Sequence, residues 1–442
     1  MKLRNLLYAQ SGGVTSVINT TAAGVIETAR ASNKIGKVYA GKNGISGILK
    51  EELVDTSLES DTQINFLKYT PGGVFGSCRY KLKDPNEDPT QYLRLLEVFK
   101  SHNIGYFLYN GGGDSQDTTN KIASFTKKSG FPVQCIGIPK TVDNDLPFTD
   151  NCPGFGSVAK YIATSTQEAA LDVKSMADTS TKVFIMEVMG RHAGWIAASS
   201  SLAAVEKHDP PHIILLPEIR LSKTKFISKV KRTVLDNGYC VIVVSEGLRD
   251  IRGNFLSDSG RVDAFGHKQL GGVAPRISEI IQDKLGYKCH WAVPDYLQRS
   301  ARHLSSKIDF EQAYGVGKAA VEFCLAGENA VMPIIKRNKT KKYSWSIEKI
   351  NLSKVANIEK KLPKSYISKD GFGVTGKCKE YLKPLIEGEA FTPYKNGLPV
   401  KAILKNKLVK KKLKELSLIL QEPLNFHLRA LQSRYLLFLI YQ

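Results

Sequence analysis

Short apolar runs alternate with longer stretches of helical period along the first two thirds of the chain. "NLLYAQ" (residues 5–10) ends in Ser-Gly-Gly and leads into "VINTTAAGVIETARAS" (17–32), whose pattern predicts a helix. "IGYFLYN" (104–110) ends in "GGGDS" and is followed by a polar helical stretch, "QDTTNKIASFTKK" (116–128). "FPVQCIGIP" (131–139) runs directly into "KTVDND". Apolar strands with glycine or charge at their carboxyl ends, each leading to a helix, predict a parallel sheet with crossover helices. Ligands bind such sheets beyond the carboxyl ends of the strands, so these three loops should converge on one crevice.

A helix over 156–176 opens a second series, in which "KVFIMEVMG" (182–190), "HIILLPEI" (212–219) and "YCVIVVSEGL" (239–248) read as buried strands. The predicted fold is therefore α/β, with two Rossmann-like parallel-sheet domains and a cleft between them. A chain of 442 residues is too long for one ordinary core, which agrees. The expected division puts 1–155 with about 273–325 in one domain, and 156–272 with about 326–418 in the other. Residues 335–418 are polar and lysine-rich with weak periodicity, and 419–442 form an apolar tail with no assignable partner.

Composition narrows the class. Apolar residues make up 42%, enough for a core, and no apolar run approaches the ~18 residues of a membrane span. "MKLRNLLYAQSGG" begins like a secretory signal, but its apolar part is short and lacks a cleavage pattern, so it reads as a first buried strand. Seven scattered cysteines without a C-x-x-C point to reduced thiols in a cytoplasmic protein, not to a disulfide framework or zinc site. The formal charge of +21 is uneven: from Val331 onward 24 Lys/Arg face 8 Asp/Glu, which leaves +5 for the first 330 residues. "VKKKLKE" (409–415) is densest. Such a run fits an anionic partner, nucleic acid included, or a solvated lysine-rich face, and the lack of interleaved aromatics favours the second.

The candidate chemistry sits in the loops. "SGGVTSVIN" (11–19) places two glycines between strand and helix, where backbone N–H groups can meet a phosphate, although a tight turn needs the same residues. The stretch is not G-x-G-x-x-G, and no G-x-x-x-x-G-K-[ST] occurs in the chain. "PGGVFGSCRY" (71–80) offers Arg79 on a glycine-rich loop, where a guanidinium could fork onto phosphate oxygens. In "NGGGDSQDT" (110–118), glycines allow close ligand approach and Asp114 stands at the helix start, where it could equally be a cap. "PKTVDND" (139–145) is strongest: Asp143 could take a proton from an attacking hydroxyl and Lys140 could neutralise a transferring phosphoryl group. An Asx-rich turn would use similar residues. "MGRHAGW" (189–195) offers Arg191, with His192 read as a packed or surface residue, and Glu246 and Arg299 stand at other element ends.

In this order, "SGG", "GGVFGSCR", "GGGDS", "PKTVDND", "MGRHAGW", "SEGL" and "YLQR" resemble the 6-phosphofructokinase family over about residues 5–325. The resemblance implies Mg2+-assisted phosphoryl transfer to the 1-hydroxyl of fructose 6-phosphate, in a cleft between a donor-binding and a sugar-phosphate-binding domain. It implies Asp143 as base and Thr141 as a neighbouring transition-state or sugar contact. Met189, Gly190, Arg191 and Glu246 would line the sugar site, with Tyr296 and Arg299 on its 6-phosphate. Lys182 falls where the family carries a basic residue that reaches a neighbouring subunit's site, which implies a homodimer or homotetramer. Gly13, Arg79, Gly112 and Lys140 fall on the donor side.

The donor is read from Asp114 and Lys140, where ATP-using members typically carry glycine and the pyrophosphate-dependent branch resembles this chain. A charged Asp114–Lys140 arrangement should fill the space of a nucleotide's α-phosphate, with Lys140 neutralising the leaving phosphate. Gly113 stands where ATP-using relatives have a metal-binding Asp, so Mg2+ would rest mainly on substrate oxygens, with Asp143 or Asp145 in part. The expected activity is pyrophosphate-dependent. The alternatives are the ATP-dependent enzyme, or a catalytically silent regulatory subunit with a basic nucleic-acid-binding C-terminal region.

Overall fold

Two parallel sheets organise the chain, and their strand ends frame one cleft. The computed structural model describes residues 3–206, 208–256, 258–262, 268–270 and 272–415, so the predicted apolar tail 419–442 lies outside the described residues. The strands that build these units are, in chain order, β1 (Arg4–Gln10), β2 (Ile35–Gly41), β3 (Leu53–Asp55), β4 (Ile104–Gly111), β5 (Gln134–Pro139), β6 (Val183–Val188), β7 (Ile213–Leu215), β8 (Cys240–Ser245), β9 (Asp258–Val262), β10 (Lys268–Leu270), β11 (Cys289–Ala292), β12 (Val331–Arg337) and β13 (Trp345–Asn351). The first sheet has the order β13-β12-β5-β4-β1-β2-β3, with antiparallel edges at β3 and β13. The second has the order β11-β6-β8-β7 and is parallel throughout, while β9 and β10 form a separate hairpin.

The apolar runs are continuous because helices cover both faces of each sheet. Leu6, Leu7, Tyr8 and Ala9 are fully buried, and they divide between the two cores that flank the first sheet. Two further cores flank the second sheet. Helix Ile18–Arg30 crosses helix Lys307–Leu325 very closely: a Cβ at Gly24 would lie 2.4 Å from the Tyr314 carbonyl, and one at Gly317 would lie 2.3 Å from that of Thr21. Helix Phe155–Met176 links the units, and its start is held by the buried Asp309 carboxylate, which accepts from Gly154 N at 2.9 Å and from Ser157 N at 3.0 Å. A carboxylate there satisfies free N–H groups and complements the helix dipole.

The strand order corrects the expected division of the chain. β12 and β13 complete the first sheet, not the second, because "VMPII" is a buried run that returns beside β5 after helix Lys307–Leu325. Conversely, helix Val273–Leu285 packs on the second sheet and β11 pairs with β6 there. Of 273–325, helix Lys307–Leu325 is the part that packs on the first unit.

The lysine-rich segment 402–414 is a strap along the first unit. Its backbone N–H groups donate to side-chain acceptors: Lys405 and Asn406 to Glu59 at 3.0 and 2.9 Å, Lys412 and Leu413 to Glu51 at 2.6 and 3.0 Å. All seven cysteines are free thiols, and among the described residues no helix is long and apolar enough to cross a membrane.

Candidate active site

The carboxyl ends of β1, β4, β5, β6 and β8 open onto a polar cleft of about 630 Å³. It is lined by the loops the sequence singled out: Gly12 and Gly13 after β1, Gly112–Asp114 after β4, Lys140–Asp145 after β5, Met189 and Arg191 after β6, and Glu246 after β8. Arg79, Tyr296 and Arg299 complete the wall.

Lys140 leaves the end of β5, where its N–H donates to Gly111 O at 3.2 Å, and turns across the β1 loop. Its ammonium donates to Gly13 O at 2.6 Å. Glycine permits this approach, since a Cβ on Gly12 would stand 3.3 Å from Lys140 Nζ. Burial lowers the Lys140 pKa to about 8, and the nearby Arg299 and Arg79 cations reinforce this against the pull of Asp145 and Asp143. Arg299 stacks on Tyr296, with its guanidinium carbon 3.9 Å from the ring centroid. The same guanidinium reaches the glycine loop after β1, because a Cβ on Gly13 would fall 2.7 Å from Arg299 Nη1 and 3.9 Å from Arg79 Nη2. Three cationic side chains thus converge beside Gly13. The N-terminus of helix Gly113–Lys128 adds free N–H groups nearby.

Asp114 and Lys140 both line the cleft but do not pair with each other. Asp114 ion-pairs with Lys81 at 3.2 Å on the cleft rim, where both side chains are partly exposed. Lys140 is drawn instead to the Gly13 carbonyl through the space that two glycines leave open.

Opposite the cations lies an acidic group. Thr141 Oγ1 accepts from Asp143 N at 3.1 Å, and Asn144 adopts a left-handed φ of 53°, which turns the loop between the two aspartates. Burial, with Asp145 and Glu246 nearby, raises the Asp143 carboxyl to about 7. Asp145 is also raised, first by burial and then by Glu359, and its Oδ1 is a buried oxygen without a partner among the described residues. Buried unpartnered polar atoms are rare in native proteins and here face a cleft. Arg191 Nε is another.

The wall formed by the β6 and β8 loops is held by backbone contacts. Gly190 N donates to Glu246 Oε1 at 3.3 Å, Met189 N donates to Gln298 Oε1 at 3.2 Å, and Ser245 Oγ bonds the Gly190 carbonyl. Gly190 needs its φ of 128°, a conformation that L side chains rarely adopt. Burial raises the Glu246 carboxyl, against the help of the Gly190 N–H and Arg191. Lys182 does not line this cleft: it precedes β6 at the far end of the strand, roughly 20 Å from Met189 at strand rise. The sequence reading missed Glu359, which lines the cleft and bonds His192 Nδ1 at 2.9 Å, and Asp295 and Glu359 carry no local pattern that could have flagged them.

A family model described as "Phosphofructokinase" matches residues 5–324. The chain belongs to the phosphofructokinase family. A pyrophosphate–fructose 6-phosphate 1-phosphotransferase from Halomonas elongata is 58% identical over 419 residues, which span 95% of this chain and 100% of that relative. One of the same description from Methylococcus capsulatus is 57% identical over 93% of this chain and 99% of its own length. The crystal structure of a pyrophosphate-dependent phosphofructokinase from Marinobacter aquaeolei superposes with a TM-score of 0.86 at 58% identity, covering 93% of this chain and 99% of that one. Family membership accounts for the two units and the loops at their strand ends. The stretch matched by the family model ends before Glu359, which also lines the cleft.

Proposed function

We propose that this chain transfers a phosphoryl group reversibly between pyrophosphate and the 1-hydroxyl of fructose 6-phosphate, giving fructose 1,6-bisphosphate and phosphate. The observation that carries the donor is Lys140, buried across Gly12 and Gly13 and turned toward the side of the cleft where Arg79 and Arg299 meet. Together with relatives named for pyrophosphate over nearly the whole chain, it supports a compact dianionic donor.

In this reading the first unit holds pyrophosphate against Gly13, Arg79, Gly112, Lys140 and the adjacent helix N-terminus. The second unit holds the sugar through Met189, Gly190, Arg191 and Glu246, with Tyr296 and Arg299 toward its 6-phosphate and Thr141 beside the reacting oxygen. Asp143, with a carboxyl near pH 7, takes the proton of the C1 hydroxyl as that oxygen attacks the terminal phosphorus. The bridging P–O bond breaks, and the Lys140 ammonium hydrogen-bonds the departing phosphate. Asp114, at the rim, occupies space that a longer donor would need.

Mg2+ belongs to this reading. Asp143 and Asp145 would hold it with donor oxygens, and the unpartnered Asp145 Oδ1 is a hard oxygen of the type such an ion takes. Among the described residues no group of three or more His, Cys, Asp or Glu could hold a metal by itself, which leaves the remaining positions to substrate and water. Bound there, the ion would offset charge on the transferring phosphoryl group. The reading also includes a cytoplasmic homodimer or homotetramer, with Lys182 reaching a neighbouring copy's sugar phosphate. Phosphorus NMR of the enzyme with Mg2+, pyrophosphate and fructose 6-phosphate tests the reaction: sugar bisphosphate and phosphate should appear together, and pyrophosphate should re-form when the products are supplied. Consumption of pyrophosphate without a sugar bisphosphate signal contradicts it.

A further inference from the structure

Residues 359–362 lie outside the stretch matched by the family model, yet they are tied to both loops that face the reacting groups. The Lys360 N–H donates to Asp145 O at 2.6 Å, and the Lys360 carbonyl accepts from Trp195 Nε1 at 3.0 Å. The Lys360 ammonium runs behind the aspartate loop and donates to Asn144 Oδ1 at 3.3 Å, Thr149 O at 3.1 Å and Asp150 O at 3.0 Å. It also lies 5.4 Å from the Trp195 ring centroid. Two residues on, Leu362 N donates to Glu218 Oε1 at 3.1 Å, and the same oxygen accepts from Gly194 N at 2.9 Å. One short segment thus joins the loop of Asp143 to the loop that begins at Met189.

We infer that Lys360 is a positioning residue for the phosphoryl transfer, holding the Asn144 turn so that Asp143 keeps its place opposite the donor cations. An ammonium has three protons, and here three oxygens from one loop take them. Asn144 is the residue whose left-handed backbone separates Asp143 from Asp145, so a bond to its side chain fixes the direction of both. Its other ties, from Cys152 N at 3.0 Å and to Tyr381 Oη at 3.0 Å, leave it anchored on the side away from the cleft. Lys360 does not itself line the cleft and meets its lining at the Asp145 carbonyl, so it acts through the loop. Among the described residues it forms no ion pair, so its protons go to the oxygens of the loop.

This inference rests on Asp143 as the proton acceptor, so that reading is tested in parallel. Steady-state rates, substrate affinities and thermal melting are measured for Lys360→Met, Lys360→Arg and Asp143→Asn in the full chain. Lys360→Met should lower kcat by ~10²-fold, the size expected for a reacting group misplaced by about 1 Å. KM for fructose 6-phosphate and pyrophosphate should stay within about threefold, since the residues that bind them are untouched. Lys360→Arg, which keeps a cation with several donors, should recover much of the loss. If Lys360→Met does not fold, Lys360→Gln, which keeps two amide donors, replaces it with the same expectation in smaller degree. Unchanged kcat in a folded variant overturns the inference, as does a loss carried wholly by KM or an equal loss in Lys360→Arg. If Asp143→Asn keeps full turnover, the base reading fails, independently of what Lys360 shows.

Discussion

Two lysines lie on opposite sides of the aspartate loop 141–145, and they make different contacts. Behind the loop, the Lys360 ammonium donates to three oxygens of the chain. On the cleft side, Lys140 donates to the Gly13 carbonyl and keeps donor capacity toward the ligand space. Burial lowers the pKa of both, but for Lys140 the Arg299 and Arg79 cations add to it, whereas Cys152, Asp150 and Asp145 counter it for Lys360. A buried ammonium crowded by other cations is costly unless an anion arrives to meet them. The contrast sets a lysine whose ammonium is taken up by three oxygens of the chain beside one that keeps a face toward the cleft.

The largest effect should come from the loop's own acid. Asp143→Asn should reduce turnover by ~10³-fold, as loss of a general base does, measured by initial rates in either direction. The same change should alter stability in a pH-dependent way. The folded carboxyl is raised to about 7 from an ordinary value near 4, so ionising it costs stability that is absent below pH 4 and fully felt above pH 7. Asp143→Asn should therefore raise the melting temperature at pH 8 and leave it unchanged at pH 3.5.

Next comes the cleft-side cation. Lys140→Met should weaken kcat/KM for pyrophosphate by ~10²-fold or more, the loss typical of removing one charge-stabilising donor. Because the Lys140 pKa is lowered to about 8, its charged form is lost as pH rises through that value. Pyrophosphate binding by calorimetry should weaken above pH 8 in the parent chain and lose that dependence in the variant. A smaller effect is expected at Gly13→Ala, whose Cβ would displace the Arg299 guanidinium. Fructose 6-phosphate affinity should drop about tenfold, one lost charge-assisted contact at ~1.4 kcal/mol, with melting unchanged because the displaced group is the end of a flexible side chain.

The smallest effect on chemistry should lie far from the cleft. Glu51 accepts from Lys412 and Leu413 and meets His102 Nε2 at 2.6 Å, so it ties down the basic strap. Glu51→Gln should cost about 1–2 kcal/mol of stability by denaturant titration and leave kcat per folded molecule unchanged. A change in kcat there would mean that the strap and the cleft are coupled.

What could be read from sequence followed from locality. The runs "NLLYAQ", "YFLYN" and "YCVIVVS" became buried parallel strands, and the glycine, lysine and aspartate clusters at their ends line one cleft, because strand direction alone carries them there. Less legible were features that depend on distant partners. "VMPII" is an ordinary apolar run, and nothing near it says that it returns to the first sheet beside β5. The ion pair of Asp114 with Lys81 was not legible either, because side-chain direction at a glycine-rich turn is not a property of sequence spacing. Lys360 meets Asn144 across 216 positions, in a segment whose composition suggested only solvated surface. The lysine-rich strap was read chiefly as a solvated face, and nothing in its composition showed that its backbone N–H groups are taken up by Glu59 and Glu51.

The central claim, that Lys140 fits the cleft to a short donor, is tested most directly by initial rates with fructose 6-phosphate and Mg2+, supplying pyrophosphate or ATP to the parent chain and to Lys140→Gly. The parent should turn over with pyrophosphate and show no more than trace activity with ATP, and Lys140→Gly should lose most of the pyrophosphate rate. Turnover of the parent with ATP alone, or undiminished use of pyrophosphate by Lys140→Gly, would contradict it.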